Sequence, residues 1–513
     1  MLHTPLVVEL LRSQPRLMFW LAVLAQTGLW FVVPSLFYSS PPGDLPLVLA
    51  VGHEFQLGSM FGPPLAFWLA EIAWRIAGAP GVYLLSQACV VAAFWGVYIL
   101  ARAIVGLHHA VFAVLLMAGI LAFAAPTPDF GPAILALPLT VFSLLWLWQA
   151  ISRRRRWAWF LLALNLGLLL MTTWMGLVLV AAIAAFLGLT RRGRRTLRWP
   201  EPWLASIVVA AVTFPHLIWF DLQGPAVSDL LPAFAARAML GHASSFLELL
   251  AVSHTGLALL VVLAVRWRRP RADEKLPVFS RRATAPFAER FVYFFALVPA
   301  LLAALVAGLF AVPAAPGSIA PFVALSGLAV VVFAGSSIVW PRPRTLAAAW
   351  ALLLLGPPLA VAAAIAGLPW LGVPGAGVDR PAADIGRFLA DNFARRTGSP
   401  LAIVAGDPAT AAIVALGAPG RPSLLFDASP SRTPWVTTDD LRRKGAVVVW
   451  PSPDTRAEMP PALAARFQGL AADVPHSFER RFQGRLPLLR IGFAVLRPRT
   501  DTTGTAEPKP AAP

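Results

Sequence analysis

Two carboxylates, Asp44 and Asp129, stand alone among apolar residues, and each follows a turn-forming sequence. A carboxylate at the mouth of a membrane helix is costly unless it is paired or functional, and carboxylates can act in acid–base chemistry or hold a cation. Each acid also has a purely structural interpretation. Asp44 can be a turn residue after Pro-Pro-Gly, and Asp129 can cap the helix that begins near Pro132.

Six further polar residues in or beside the predicted outside loops are candidates for donor or acceptor binding: His53, Glu54, Arg75, His216, Asp221 and Arg237. The first loop, 39–81, is the longest within the membrane region, and its second half has the apolar spacing of a helix lying along the membrane interface. The adjacent pair His53 and Glu54 could contribute to a metal site. Ordinary loop polarity is the simpler interpretation, so the metal site remains unassigned.

The composition is that of a membrane protein. Only 13% of the 513 residues are charged, whereas soluble domains carry about 25% charged residues. The net charge of +17 is compatible with binding to nucleic acid. The arginines, however, lie in short blocks between apolar segments and form no basic domain. Membrane topology explains them better, so no nucleic-acid partner is predicted. The single cysteine, Cys89, excludes an internal disulfide.

Apolar runs predict a bundle of about eleven transmembrane helices. Each must be helical in the hydrocarbon region, because no water is available there to satisfy the backbone. Thr172, Thr173 and Trp174 suggest a tight turn between two short helices. The predicted spans are 17–38, 82–104, 109–125, 132–151, 157–173, 176–190, 203–220, 246–266, 291–312, 320–340 and 345–366.

The arginines predict the orientation of the bundle. With a cytoplasmic N-terminus, the inside loops hold 22 basic residues and the outside loops hold two, Arg75 and Arg237. This asymmetry agrees with the positive-inside rule. Eleven spans then place the C-terminal region outside the cytoplasm. Asp44 and Asp129 fall on that same outer side, although neither was used to derive the orientation.

The predicted fold class is an all-α polytopic membrane bundle, 1–370, followed by a small periplasmic α/β domain, 371–498. The domain is predicted because helix-like and strand-like runs alternate after a Gly/Pro stretch. The tail, 499–513, has a disordered composition. The domain contains no Gly-rich phosphate loop, so the sequence does not support a nucleotide-sugar site of Rossmann type.

Several sequence features follow one another in a definite order. They are Asp44, then GSMFGPPLAFWL (58–69), the pair Pro128-Asp129, ALNLGLLLMTTWMG (163–176) and FPHLIWFDLQGP (214–225). Their order and sidedness resemble the GT-C superfamily of integral-membrane glycosyltransferases, specifically its protein-mannosyltransferase-like or GT39-like group. The resemblance covers about residues 15–370, and similar proteins also carry a periplasmic C-terminal domain.

This resemblance implies a glycosyltransferase of the bacterial inner membrane. It would move a hexose or pentose from a polyprenyl-phosphate donor to a lipid A, lipopolysaccharide-type or other envelope acceptor at the periplasmic face. Asp44 would be the general base, a role assigned to its counterpart in similar enzymes. Asp129 would position the acceptor or hold a divalent metal ion.

The chain departs from the resemblance at the donor phosphate. Relatives often carry a lysine in the glycine-rich pair of spans, where this chain has Thr172 and Thr173. The expected role of that cation therefore passes to Arg75 or Arg237, the two basic residues of the predicted outside loops.

Two other classes of function remain open at this point. A lipid or polysaccharide flippase or transporter would be expected to show charged span centres and internal repeats, and the sequence shows neither feature. A non-catalytic subunit for envelope assembly would use the C-terminal domain for docking. Such a subunit should tolerate asparagine at Asp44, whereas a transferase should not.

Overall fold

The structure is a computed structural model that describes residues 6–124, 128–224, 236–264, 277–312, 314, 318–375, 377–426 and 433–499. The chain divides into two compact units. The first comprises Met1–Leu45 and Phe55–Leu368, and the second comprises Pro46–Glu54 and Pro369–Pro513. The second unit thus includes a short piece of the first loop as well as the chain from Pro369 onward.

Apolar helices form most of the chain before residue 368. They are α1 Leu6–Ser13, α2 Pro15–Phe37, α3 Leu45–His53, α4 Leu65–Val105, α5 Leu107–Met117, α6 Leu121–Ala124, α7 Pro132–Ser152, α8 Trp157–Leu170, α9 Gly176–Leu189, α10 Arg191–Thr196, α11 Glu201–Gln223, α12 Ala236–Ser253, α13 Thr255–Ala264, α14 Pro286–Leu309, α15 Ser326–Phe333 and α16 Pro343–Gly367. In the core of the first unit, side chains of α4, α7 and α8 such as Val90, Leu144 and Leu162 are buried.

Six helices in the described part of the chain are long and apolar enough to cross a membrane: α2, α4, α7, α11, α14 and α16 with the short turn after it. Met239–Ser253 and Thr255–Ala264 together are also long and apolar enough, but a bend of 42° separates them, as in a broken span or a re-entrant loop. The other predicted spans correspond to shorter apolar helices, α5, α8, α9 and Ala320–Phe333. The chain is therefore a multi-pass membrane protein in which several spans are short or broken.

The helix α4 contains a break that separates an interface segment from a membrane span. Ala77 and Gly78 have non-helical backbone angles, with a φ of +61° at Gly78. Glycine adopts this left-handed region without the steric cost that a side chain would bring. Residues 65–76 form the helix predicted for the second half of the first loop, and 79–105 form the following span.

The predicted span 320–340 is not a single helix. Helix α15 ends at Phe333, and Gly335 has a φ of +83°. The chain then forms the strand β2, Ser337–Val339, which pairs antiparallel with β1, Val278–Ser280. The apolar run is therefore shared between a helix and a strand, a difference that hydrophobicity alone does not reveal.

The second unit is an α/β domain, as predicted. Its helices are α17 Ala382–Thr397, α18 Pro408–Gly417, α19 Thr438–Lys444 and α20 Pro461–Arg466, and its strands are β3 Ile403–Gly406, β4 Ser423–Phe426, β5 Ala446–Pro451, β6 Asp473–Phe478 and β7 Leu489–Leu496. The strand order is β4-β3-β5-β7-β6. Strand β3 is parallel to β4 and β5, whereas β7 is antiparallel to β5 and β6.

The segment Pro46–Glu54 of the first loop is part of this domain. Ala50 of α3 lies in one hydrophobic core of the domain together with Ile385 and Val404. The guanidinium of Arg421 donates a hydrogen bond to the carbonyl oxygen of Leu49 at 3.1 Å. The first loop therefore contributes to both units. The predicted tail lies outside the described residues from 500 onward.

Candidate active site

Asp44 and Asp129 meet at the turn that begins the first loop. Leu45 N–H donates to the carbonyl of Pro42 at 3.1 Å, which closes the turn around Gly43. The Asp129 carboxylate accepts hydrogen bonds from the backbone N–H groups of Asp44 and Leu45. Gly43 has a φ of +53°, and a Cβ at this position would collide with Asp129 Oδ2. Only glycine permits the carboxylate to approach this closely.

The electrostatic environment of Asp129 favours its neutral form. Burial, and then the nearby carboxylate of Asp44, raise the pKa of Asp129 from 3.8 to about 7. The hydrogen bonds from the two backbone N–H groups oppose this shift but do not cancel it. Asp44 itself is exposed. The pair therefore combines an accessible carboxylate with a partly buried one that titrates near neutral pH.

Two tyrosines complete the surroundings of Asp129. The rings of Tyr38 and Tyr83 pack edge to face, with their centroids 6.2 Å apart, and both residues interact electrostatically with Asp129. Burial, and then the Asp129 carboxylate, raise the pKa of Tyr38 to about 12. Neither tyrosine was predicted from the sequence. Tyr38 directly follows α2, but this position alone does not indicate that it lies near Asp129.

The second part of the first loop is held in a defined conformation. Ser59 and Gly62 form a short antiparallel bridge, with hydrogen bonds in both directions between their backbones. The indole Nε1 of Trp68 donates to the carbonyl of Gln56 at 2.9 Å. The Gly-Pro-Pro-Leu segment then begins α4, where Leu65 N–H donates to the carbonyl of Met171. The motif thus connects the loop to the turn after α8.

His216, which lies in α11, forms a hydrogen bond to the backbone of the same loop. Its Nδ1 donates to the carbonyl of Leu57 at 2.9 Å, and its ring stacks on Trp219 with the centroids 5.8 Å apart. A Cβ on Gly58 would collide with the Trp219 ring, so glycine is needed here for close packing. His216 Nε2 and Trp219 Nε1 are buried and have no hydrogen-bond partner among the residues that the structure describes. His216 therefore positions the loop through one ring nitrogen.

Arg75, in the interface segment of α4, contacts an acidic and an aromatic side chain. It forms a 2.8 Å ion pair with Glu71, whose side chain is 1% exposed, and its guanidinium lies 4.9 Å from the centroid of the Phe55 ring. The spacing of four residues places Arg75 and Glu71 on the same helix face. The Arg75 side chain is half exposed, so a phosphate could approach it, although part of its charge is neutralised.

The remaining predicted residues lie elsewhere. Asp221 is exposed in the last turn of α11, and Arg237 falls in α12 with its side chain outside the described part of the structure. His53 and Glu54 belong to the second unit. No group of three or more His, Cys, Asp or Glu side chains that could hold a metal ion occurs among the described residues. The structure thus brings Asp44 and Asp129 together.

Comparisons with known proteins give the fold a name. Residues 62–219 match the profile of a family described as dolichyl-phosphate-mannose-protein mannosyltransferase. The apo crystal structure of ArnT from Cupriavidus metallidurans aligns with a TM-score of 0.60 and 13% identity, over 93% of this chain and 97% of ArnT. The chain has a GT-C fold. ArnT from the same organism bound to undecaprenyl phosphate aligns with a TM-score of 0.58 and 12% identity, over 92% and 97% of the two chains.

The GT-C fold confirms the predicted resemblance and the predicted fold class, a membrane bundle followed by a small α/β domain. No curated protein sequence matches this chain. The family profile covers the Gly-Pro-Pro-Leu segment, Asp129 and His216, but fewer than half of the 513 residues. Within the GT-C fold, the site residues must be judged from their own geometry.

Proposed function

We propose that this protein is a membrane glycosyltransferase of the bacterial inner membrane. It transfers a sugar from a polyprenyl-phosphate carrier to a lipid A, lipopolysaccharide-type or other envelope acceptor on the periplasmic side. The observation that carries the proposal is the contact between the Asp129 carboxylate and the turn that presents Asp44. A partly buried acid beside a second acid is costly unless it serves a function.

Asp44 acts as the general base in this proposal. The acceptor hydroxyl attacks the anomeric carbon of the donor sugar, and its proton passes to the Asp44 carboxylate. The bond from the anomeric carbon to the phosphate oxygen breaks, and the polyprenyl phosphate leaves with the bonding electrons. Asp129 holds the backbone of the turn through its two hydrogen bonds, and thereby positions Asp44. The exposure of Asp44 is consistent with access for the acceptor.

The donor class rests on three observations. The sequence contains no Gly-rich loop for a nucleotide, the chain is a multi-pass membrane protein, and ArnT, which shares its fold, was crystallised with undecaprenyl phosphate. The concentration of basic residues in alternate loops supports a periplasmic site with a cytoplasmic N-terminus. Arg75, held by Glu71, and Arg237 are the proposed cations for the donor phosphate.

A divalent metal ion is compatible with the same site. Magnesium is usually held by one or two carboxylates together with waters and substrate phosphates, and not by a cage built only from protein ligands. Asp44 and Asp129 would be the protein ligands, since the described residues offer no larger group of metal-binding side chains. When bound, the ion would supply positive charge beside the leaving phosphate.

Donor specificity tests the proposed function. The full-length protein, reconstituted in vesicles, is supplied with an envelope lipid extract as acceptor and with either a polyprenyl-phosphate sugar or the corresponding nucleotide sugar. Glycolipid products are measured by mass spectrometry. We expect transfer from the lipid-linked donor only. Transfer from the nucleotide sugar alone would contradict the proposal, and movement of unmodified lipid between leaflets without any product would favour a flippase.

A further inference from the structure

A groove runs between α2 and the membrane-spanning part of α4, and neither Asp44 nor Asp129 lines it. Its volume is about 560 Å³. The side chains at its rim are well exposed, namely Trp20, Leu24, Leu84 and Trp95. Between the rim residues, the lining includes the small residues Gly28 and Ala88. A Cβ on Gly28 would meet no atom within 4 Å, so the space beside this glycine is open.

The lining also contains a buried amide, that of Gln87. This side chain is only 3% exposed. Neither its Nε2 nor its Oε1 has a hydrogen-bond partner within the described part of the protein. Gln26, the other buried glutamine of these two helices, differs because its Nε2 donates to the carbonyl of Phe123. An amide left without partners in a hydrocarbon environment is costly, so Gln87 points to a ligand that supplies both an acceptor and a donor.

The position of Gln87 restricts the size of that ligand. The membrane-spanning part of α4 begins at Ala79, and Gln87 lies eight residues further along it. At a rise of 1.5 Å per residue, this distance along the helix axis is about 12 Å. Its amide is buried, whereas Leu84 and Trp95 on the same helix are 60% and 43% exposed. A transmembrane helix is about 10–12 Å wide and would rest on this rim. A single lipid chain is thin enough to enter the groove and lie against Gln87.

We propose that the groove binds one chain of a membrane lipid that carries a hydroxyl group, and that Gln87 recognises this hydroxyl. A hydroxyl is the smallest group that accepts a hydrogen bond from Nε2 and donates one to Oε1. An unsubstituted chain would fill the apolar lining but leave both amide atoms unsatisfied. The inference does not depend on the proposed transfer reaction, because it uses neither Asp44 nor Asp129.

Native mass spectrometry of the full-length protein in detergent tests this site. The micelles contain equal amounts of phosphatidylcholine with 12-hydroxystearoyl chains and phosphatidylcholine with stearoyl chains. We expect the wild-type protein to retain the hydroxylated lipid on the order of fivefold more than the other. Gln87→Met, which keeps the length of the side chain, should abolish this preference. Equal retention by the wild type, or an unchanged preference in Gln87→Met, would overturn the proposal.

A matched pair of glycine variants keeps the test independent of Gln87. Gly28→Leu fills the groove, and the open space beside Gly28 allows the protein to fold. Gly188→Leu makes the same change in α9, where a Cβ would also meet nothing within 4 Å. We expect Gly28→Leu to lose at least three quarters of the retained hydroxylated lipid and Gly188→Leu to lose none. Equal retention by the two variants, or a dimer mass that disappears only in Gly28→Leu, would contradict a lipid chain as the occupant.

Discussion

Each unit contains one buried or partly buried aspartate, and the two carboxylates have opposite electrostatic surroundings. In the α/β domain, Asp379 forms a 3.0 Å ion pair with Arg480, and both side chains are largely buried. In the membrane unit, burial raises the pKa of Asp129, and the nearby carboxylate of Asp44 raises it further. The first arrangement compensates a buried charge, whereas the second adds a like charge to it. The difference is consistent with a structural role for Asp379 and with the chemical role that we propose for Asp129.

Removing Arg480, the cation paired with Asp379, should have the largest effect on stability. Arg480→Ala leaves the Asp379 carboxylate buried and without its partner, which typically costs about 3–5 kcal/mol of unfolding free energy. Thermal unfolding of the full-length protein should show an earlier transition for the second unit, and limited proteolysis should cleave the domain faster. If Arg480→Ala unfolds like the wild type, the contrast between the two aspartates is lost.

Neutralising Asp129, which lies near the carboxylate of Asp44, should lower the transfer rate and leave stability intact. Asp129→Asn keeps the size of the side chain, removes the repulsion with Asp44 and keeps one acceptor oxygen for the turn. We expect a loss of roughly one to three orders of magnitude in transfer rate without a loss of stability. Asp379→Asn is the matched control, since it should lower stability while leaving the rate per folded molecule nearly unchanged. Similar rates for both variants would show that Asp129 has no special role.

The contact between the two acids illustrates what the sequence could and could not predict. The arginine blocks predicted that Asp44 and Asp129 lie on one side of the membrane, and the fold class followed from apolar length and from the alternation after residue 377. The distance between the acids could not be predicted, because it depends on how Gly43 packs against the carboxylate. The tyrosines were missed for a similar reason, since their proximity to Asp129 arises only from tertiary packing.

Other differences have local causes. The run LPLVLAVGH is apolar enough to belong to either unit, and only packing shows that Pro46–Glu54 joins the α/β domain. Arg75 was proposed for the donor phosphate because it is one of two basic residues in the predicted outside loops. Its partner Glu71 stands four residues earlier on the same helix, so this ion pair could have been predicted from spacing alone.

The pH dependence of stability provides a smaller effect. The folded-state pKa of Asp129, about 7, exceeds its ordinary value of 3.8, so the folded protein holds a proton that the unfolded chain has already released. The stability that this bound proton contributes is present in full below pH 3.8 and is lost as the pH rises through about 7. The unfolding midpoint should fall over that interval, and Asp129→Asn should flatten the slope. An identical slope in the variant would exclude Asp129 as its source.

The smallest predicted effect concerns the tyrosine that packs at the acid pair. Tyr38→Phe keeps the ring contact with Tyr83 and removes only the hydroxyl near Asp129. We expect a decrease of a few fold in transfer rate and a small shift of its pH profile, because the loss of one polar neighbour changes the environment of Asp129 only modestly. Tyr293→Phe, in α14, is the control. Equal pH profiles for the two variants would remove Tyr38 from the site.

The central claim is that Asp44 takes the acceptor proton, and the turnover of Asp44→Asn tests it most directly. The variant keeps the turn, since asparagine is also favoured there, and it removes the basicity of the side chain. Transfer is measured with the purified full-length protein and a polyprenyl-phosphate donor, at matched folded protein, with Asp384→Asn as an exposed control. The account predicts a loss of roughly two to four orders of magnitude for Asp44→Asn and normal turnover for the control. Wild-type turnover in a well-folded Asp44→Asn protein would contradict it.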